Sequence, residues 1–286
     1  MAFEYPEGDP VPSSMAMALY SRDSNWRLTQ RRVSSSTRVN PESPLSAPRV
    51  FEAAPATEED DTLAAVPDPT PVADGIWSFD LTDIDSRTLV AEFGKGLAVI
   101  ETAVGSKNGE RIVDAIHRRW PGKPIRWAFF SHYHPHYTGG LRALIAEGAT
   151  VVTTPGNPAF VREVASRHFG LEPDRLARQP VTPKIETFED RYPLSDPTNQ
   201  MIAIDYGKRS QHTDEFVLFW FPRQRVLFET EQGWSSDHGA LRAGRRAKSL
   251  LAWLDEQKLD PDRIVQSVGR CATTRRASRG RSSIHW

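Results

Sequence analysis

Three histidines lie at alternate positions, His132, His134 and His136, within the segment Phe130–Gly140. They directly follow the apolar run Ile125–Phe130, which is typical of a buried strand. In a strand the three rings would share one face, and in the tight loop that a proline and a glycine pair indicate they could converge on one point. Neutral imidazole is the commonest metal ligand in proteins, so this spacing favours a divalent metal site. Three polar loop residues without a metal are the alternative.

The length and charge of the chain exclude several functional classes. Its 286 residues are enough for one large domain, or one domain with an appendage. The net charge of -1 provides no global field that would attract nucleic acid or an anionic membrane. No apolar stretch is longer than a strand, and the N-terminus lacks the pattern of a signal peptide, so we expect no membrane partner and a cytoplasmic location. The single Cys271 excludes an internal disulfide and a thiolate metal cluster.

Composition divides the chain into three zones. Residues 1–71 are rich in proline, serine, alanine and acidic residues, which predicts a low-order extension and linker. Short strand-like stretches occur at 25–28 and 37–40, and they would need a partner sheet. Residues 72–270 show regular periodicity and predict one folded domain. Residues 271–286 are basic, serine-rich and aperiodic, which predicts a disordered tail.

Strands and helices alternate in the central zone. A β-hairpin is predicted at 88–93 and 97–101, around the turn Gly94–Gly96. Helical spacing of apolar residues predicts helices at 109–120, 139–147, 158–168 and 242–254. Alternating or continuous apolar runs predict strands at 75–81, 125–130, 149–153, 200–206, 215–221, 225–229 and 263–265.

The order of these elements resembles the metallo-β-lactamase superfamily. The resemblance rests on a strand that ends in a His-x-His loop followed by Gly-Gly and a helix, and on local markers at Gly122–Ile125, Leu141–Ala143, Glu147–Val152 and His212–Asp214. It covers residues 72–270. It implies an α/β fold, a four-layer αββα sandwich with a metal site along one edge of the sheets, here preceded by an irregular N-terminal extension. In some members a small antiparallel β domain precedes the sandwich, so the resemblance allows this extension to be a remnant of such a domain.

The superfamily pattern is His-x-His-x-Asp-His, followed by a distant His, a bridging Asp and a final His. His132 and His134 match the first two ligands, and His212 matches the distant one. His136 stands where the Asp is expected, and Tyr137 stands where the next His is expected. Tyrosine ligates only as the phenolate, whose ordinary pKa of about 10 disfavours that form at neutral pH.

The second half of the pattern also departs from the family. Glu231 replaces the bridging Asp, and Val268, which cannot ligate, replaces the final His. The resemblance therefore implies one remodelled mononuclear site of His132, His134 and His212, with His136 or Glu231 as a further ligand. We expect zinc or another divalent metal, one ion at most. His212 as a strand cap and Glu231 as a solvated carboxylate remain open alternatives.

Two functions of different classes follow from the resemblance. The first is a metal-dependent hydrolase that cleaves an ester, thioester, lactone or related bond of a small-molecule substrate, with Glu231 or Asp214 in a supporting catalytic role. The second is a catalytically inactive relative that retains the sandwich and acts as a binding or scaffold protein, with or without an ion. An interaction protein that uses its flexible ends is a third alternative. The sequence predicts no oligomeric state.

Overall fold

The computed structural model describes residues 65–82, 84–102, 104–167, 173–233 and 244–267, together with three strands near the N-terminus. The chain divides into two compact units, Met1–Leu63 and Ala64–Trp286. In the first unit, strands β1 (Ala2–Glu4), β2 (Ser14–Ala18) and β3 (Leu28–Arg31) form an antiparallel sheet in that order. Of the strand predicted at 25–28, Leu28 belongs to β3. Residues 25–27 and the strand predicted at 37–40 lie outside the described residues.

The second unit begins with a seven-stranded sheet. Its members are β4 (Thr70–Ala73), β5 (Ile76–Leu81), β6 (Ser86–Phe93), β7 (Gly96–Ile100), β8 (Ile125–Phe129), β9 (Thr150–Thr153) and β10 (Lys184–Thr187). Their spatial order is β10-β9-β8-β7-β6-β5-β4, antiparallel from β4 to β7 and parallel from β7 to β10. The predicted hairpin is confirmed as β6 and β7. Gly96 is required there, because a Cβ at this position would lie 2.7 Å from the carbonyl oxygen of Pro124.

A five-stranded sheet follows in the second unit. Its members, in spatial order, are β11 (Arg191–Ser195), β12 (Gln200–Asp205), β13 (Val217–Phe221), β14 (Val226–Glu229) and β15 (Arg263–Gln266). All pairs are antiparallel except β14 with β15. The predicted strands at 200–206, 215–221, 225–229 and 263–265 are confirmed.

The second unit also contains helices of 4 to 14 residues. They are α1 (Ser106–Arg119), α2 (Pro135–Thr138), α3 (Leu141–Ala146), α4 (Pro158–Ser166), α5 (Arg175–Arg178) and α6 (Arg245–Glu256). α1 buries Ile112, Val113 and Ile116, the helical spacing seen in the sequence, and it ends where Pro121 and Gly122 cannot continue it. A bilayer crossing needs about 20 apolar residues. Within the described ranges, no helix has the length and apolar content for one.

Three apolar layers hold the two sheets and the helices together. Between the sheets, the ring centroids of Phe129 and Phe219 lie 5.8 Å apart, edge to face. Outside the first sheet, α1 and α3 pack residues such as Ile116 and Leu144 onto it. Outside the second sheet, α6 packs Leu250 and its neighbours onto β12 and β13. These layers confirm the αββα sandwich.

The sequence patterns did not predict several short elements of the second unit: β4, β10, β11, α2 and α5. Each has only four or five residues, and the three strands lie at sheet edges, where one side of the pairing is missing. β11 carries Pro193, which edge strands tolerate because a backbone donor is dispensable there. The predicted boundary between 71 and 72 falls inside β4, which pairs with β5.

We expect Phe219→Ala to lower the free energy of unfolding by about 3–5 kcal/mol, since the cavity would open in the layer between the sheets. Phe219 is fully buried and also contacts Phe228 at a centroid distance of 6.2 Å. Urea denaturation measures the loss. Val181→Ala is the control, because Val181 is 43% exposed and its truncation should change stability by no more than about 0.5 kcal/mol. Equal losses for the two variants would contradict this packing.

Candidate metal centre

The end of β8 is hydrogen-bonded to both sheets through the backbone of Ser131. Its amide donates to the Glu101 Oε1 atom at 2.9 Å, beyond the end of β7. Its carbonyl accepts from the amide of Val217, at the start of β13 in the other sheet, at 2.8 Å. The next residue, His132, is fully buried. The local fold therefore fixes the first imidazole at the edge where the two sheets meet.

The ring of His132 is oriented by contacts on two sides. Its Nδ1 atom lies 2.9 Å from the Ser131 hydroxyl, which in turn accepts a hydrogen bond from the Thr230 hydroxyl at 2.8 Å. The ring of Phe216 stacks on it at a centroid distance of 5.0 Å. Because Nδ1 is already engaged, the Nε2 atom is left to face the site, which is how outer hydrogen bonds orient metal-binding histidines.

Four side chains bring potential ligand atoms to within 4.8 Å of one another: His132, His134, His212 and Glu231. The His132 Nε2 and His134 Nδ1 atoms are 3.0 Å apart, and Glu231 Oε1 lies 3.9 Å from His134 Nδ1. A tetrahedral zinc ion with bonds of about 2.0–2.1 Å separates its ligand atoms by about 3.3 Å. The observed spacings straddle that value, so these residues fit a zinc-class ion.

The Nε2 atom of His212 is buried and forms no hydrogen bond with any residue that the structure describes. It nevertheless lies 2.7 Å from Glu231 Oε2. The distance suits a hydrogen bond, but the direction does not, and direction decides whether one forms. The two atoms are therefore close together without a hydrogen bond between them. Two ligands of the same cation would be arranged in this way. A buried polar atom without a hydrogen bond calls for an explanation of this kind.

Burial favours the neutral, ligating form of His132 and His212. Burial, followed by the charges of His134 and His212, lowers the pKa of His132 to about 2. Burial also lowers the pKa of His212, although the nearby Glu231 carboxylate acts in the opposite direction. Neutral imidazole has the lone pair that a metal requires. Loss of a proton from His132 is therefore not needed before an ion binds.

Glu231 is presented by a strained turn after β14. Its backbone has a φ of 55°, a conformation that residues other than glycine seldom adopt. The buried Glu229 side chain accepts hydrogen bonds from the amides of Gln232 at 2.9 Å and Gly233 at 3.2 Å, and so closes the turn. The turn is thus held from inside the protein, and it directs the Glu231 carboxylate towards the histidines.

Two hydrogen-bearing groups contact Glu231 in addition to the histidines. The Tyr137 hydroxyl donates to Oε1 at 3.0 Å, and Arg246 Nη1 lies 3.6 Å from Oε2. Burial, followed by the charge of Glu231, raises the pKa of Tyr137 far above its ordinary value. Tyr137 is therefore a protonated donor to Glu231 at neutral pH. The structure thus agrees with the argument that Tyr137 is a poor replacement for a histidine ligand.

Some of the predicted site residues lie apart from the group of four. His136 is exposed, because it occupies an outward position on α2, whose buried residues are Tyr137 and Thr138. Asp214 is exposed in the loop before β13. Neither contributes to the group of potential ligands, and the catalytic role of Asp214 stays a prediction. Val268 lies outside the described residues.

Sequence reasoning missed the residues that support the ligands. Ser131 and Glu101 orient His132 from behind, and Arg246 contacts Glu231 from α6. None of the three belongs to a local motif. Glu101 bonds to Ser131, 30 positions away, and Arg246 bonds to Glu231, 15 positions away. Only the position of Ser131, directly before the His-x-His segment, was available as a signal.

No protein-family model matches this sequence. Among solved structures, a metallo-β-lactamase from Pontibacter korlensis is similar, with 16% identity, a TM-score of 0.54, and coverage of 72% of this chain and 93% of that one. DIM-1 metallo-β-lactamase shares 17% identity at a TM-score of 0.52, with 73% and 92% covered. A metallo-β-lactamase from Hirschia baltica shares 18% at a TM-score of 0.50, with 72% and 92% covered. The chain therefore has the metallo-β-lactamase fold.

His134→Ala is expected to remove the bound ion, because it deletes one of three imidazoles that face the same point. Elemental analysis of protein made without a metal-binding tag should find at most about one zinc-class ion per wild-type chain and almost none in the variant. His136→Ala is the matched control in the same segment and should retain the ion. Two tightly held ions per wild-type chain, or equal loss in both variants, would show that the ligand set is wrong.

Acid should destabilise the metal-free protein through His132. Its pKa of about 2 in the folded state lies below the unfolded value of 6.5, so the unfolded chain binds the extra proton between these values. Stability is therefore lost as the pH falls below about 6.5, by up to about 1.4 kcal/mol per pH unit. Urea unfolding at pH 7, 6 and 5 should show this slope in the wild type relative to His132→Gln. A difference between the two proteins that does not vary with pH would refute it.

Proposed function

We propose that this protein is a metal-dependent hydrolase that cleaves an ester, thioester, lactone or related bond in a small molecule. His132, His134 and His212 would hold one zinc-class ion. The observation that supports this most strongly is the convergence of three imidazoles and one carboxylate within 4.8 Å at one edge of the two sheets. Three protein ligands with a further open position are typical of catalytic zinc sites, whereas structural sites are closed by four.

A bound ion of this class would polarise a carbonyl oxygen and lower the pKa of water at the site to about 7. The remaining chemistry belongs to the residues of the chain. Glu231 is 19% exposed, enough for its carboxylate to contact a substrate and a water molecule. Its Oε1 atom accepts the Tyr137 hydroxyl proton in a hydrogen bond, and its Oε2 atom faces His132 and His212.

Glu231 is accordingly the proposed proton acceptor. It would take a proton from the attacking water at Oε2 and return it to the leaving group, which is the usual task of a general acid–base residue. Tyr137 would act as a positioning residue, since its hydroxyl keeps the carboxylate at a fixed angle. Asp214, two positions after His212 in an exposed loop, would have a supporting role near the entrance.

We propose a mononuclear centre because the remaining family positions lack ligands. Tyr137 retains its proton, and that proton is already donated to Glu231. The final position of the pattern is Val268, whose side chain has no donor atom. The three imidazoles would hold one ion and leave a position open, and Glu231 alone would remain as a ligand for a second ion.

A catalytically inactive binding or scaffold protein is the second candidate. The observation that favours it is the same hydrogen bond from Tyr137 to Glu231, which occupies an oxygen that a family enzyme would use for metal. In that case the sandwich and a structural ion would be retained without turnover. The two candidates differ in catalysis and share the ion.

Hydrolysis of ester, thioester, lactone and β-lactam substrates should be measured with and without added zinc. For a hydrolase, we expect zinc-dependent turnover that Glu231→Gln lowers by about 100-fold or more, the usual effect of losing a general base. Glu163→Gln is the control, since Glu163 is exposed on α4, far from the ligand group in sequence, and forms an ion pair with Arg167.

Each contrary outcome has a separate meaning. A wild-type protein that binds zinc and hydrolyses none of these substrates favours the scaffold. Full activity of Glu231→Gln would remove Glu231 from the mechanism and leave the metal site standing.

A further inference from the structure

Arg246 places a permanent positive charge beside the ligand group. It is the second residue of α6, and its side chain is 40% exposed. The Nη1 atom lies 3.6 Å from Glu231 Oε2 and donates to the backbone carbonyl of Glu231 at 3.4 Å. One nitrogen therefore contacts both the carboxylate and the peptide of the same residue. Arginine stays charged at any physiological pH, so this charge is fixed.

The ligand group itself carries only one negative charge, that of Glu231. Among the described residues that form it, three are histidines and only Glu231 is a carboxylate. A single carboxylate beside a guanidinium carries no net charge. A divalent ion would therefore enter a site in which its one negative partner is already neutralised, close to a like charge that repels it.

Both oxygens of Glu231 also face groups that carry hydrogen. Oε1 accepts from the Tyr137 hydroxyl at 3.0 Å, and Oε2 is the carboxylate oxygen that faces Arg246 Nη1, at 3.6 Å. A carboxylate can bridge two metal ions only when each oxygen is free to face a cation. Here the proton of Tyr137 and the charge of Arg246 occupy the positions that a second ion would need.

We propose that Arg246 is a built-in cation of the metal centre, which neutralises Glu231, lowers the affinity for divalent ions and limits the centre to one ion. This inference rests on the metal site of the proposed function. Arg246 acts through Glu231 and is not a metal ligand itself.

A purely structural role for Arg246 makes the opposite prediction. Its bond to the carbonyl of Glu231 could serve only to hold the strained turn, whose φ at Glu231 is 55°. Loss of such a clamp would loosen Glu231 and weaken metal binding. Loss of a repelling charge would strengthen it. The sign of the change in zinc affinity therefore separates the two roles.

The experiment is a zinc titration of the full chain against a chromophoric chelator. For Arg246→Gln we expect affinity to rise by about tenfold or more, because a like charge is removed from a partly buried site. Arg246→Lys retains the charge and should stay within about twofold of the wild type. The rise should shrink at high salt, since the guanidinium is partly exposed and ions screen its field.

Two further variants complete the design. Arg245→Gln removes the same charge one residue earlier, from an exposed position on the same helix, and should leave zinc affinity within about twofold of the wild type. Arg246→Met removes the charge but keeps an apolar stem of similar length, so it replaces Arg246→Gln if that variant does not fold. Circular dichroism of each metal-free variant establishes folding before titration.

If the wild type binds zinc and both Arg246→Gln and Arg246→Met bind it equally or more weakly, the proposed role of Arg246 is overturned. The proposed metal site would remain intact. A folded wild-type protein that binds no zinc would overturn the metal site itself and this inference with it. Tighter binding in Arg246→Gln and an unchanged Arg246→Lys would support the built-in cation.

Discussion

The hydrogen bond from the amide of Val217 to the carbonyl of Ser131, at 2.8 Å, joins the two sheets at the edge that holds the site. Stacked sheets lie about 10 Å apart, too far for backbone contacts except where a strand end bends across. Ser131 makes that connection one residue before His132. The ligands come from both sides of the connection, His132 and His134 after β8 and His212 and Glu231 around β13 and β14. Their spacing depends on this contact.

The buried side chains of Glu101 and Glu229 accept hydrogen bonds from backbone amides at the same edge. Burial raises the pKa of Glu101 well above its ordinary value and that of Glu229 to about 7. Glu101 receives the amide of Ser131, and Glu229 receives the amides of the turn that carries Glu231. Glu101 and Glu231 also share a left-handed backbone, with φ of 64° and 55°. Buried acids and strained residues lower stability, and such features concentrate at functional sites.

Much of the sandwich could be predicted because its central strands and longer helices carry their own periodicity. The apolar strand β13 is buried on both faces, the run before His132 is buried from Ala128 onward, and α1 shows the spacing of a helix with one buried side. β10 and β11 escaped prediction because edge strands face solvent and lose the apolar pattern.

The site was predictable only as far as its motif. His132, His134 and His212 follow a spacing, and the structure brings them together with Glu231. The motif also predicted His136 beside them. His136 instead lies on the exposed side of the four-residue helix α2, and the sequence pattern did not indicate which side of that helix is buried. Arg246 was not predictable, since it lies 15 positions after Glu231 and no pattern links the two residues. Contacts of that kind arise from the tertiary fold.

The fold alone does not require this arrangement of polar groups. A sandwich edge could be closed with apolar side chains, and a buried imidazole that stays neutral down to a pKa of about 2 costs stability in acid. His132 is nevertheless fully buried among other imidazoles, and His212 Nε2 lies 2.7 Å from a carboxylate oxygen without a hydrogen bond. Polar atoms in such positions destabilise a protein unless something else binds them. One cation would satisfy all of them at once, and with Arg246 already beside Glu231 a second would add only repulsion.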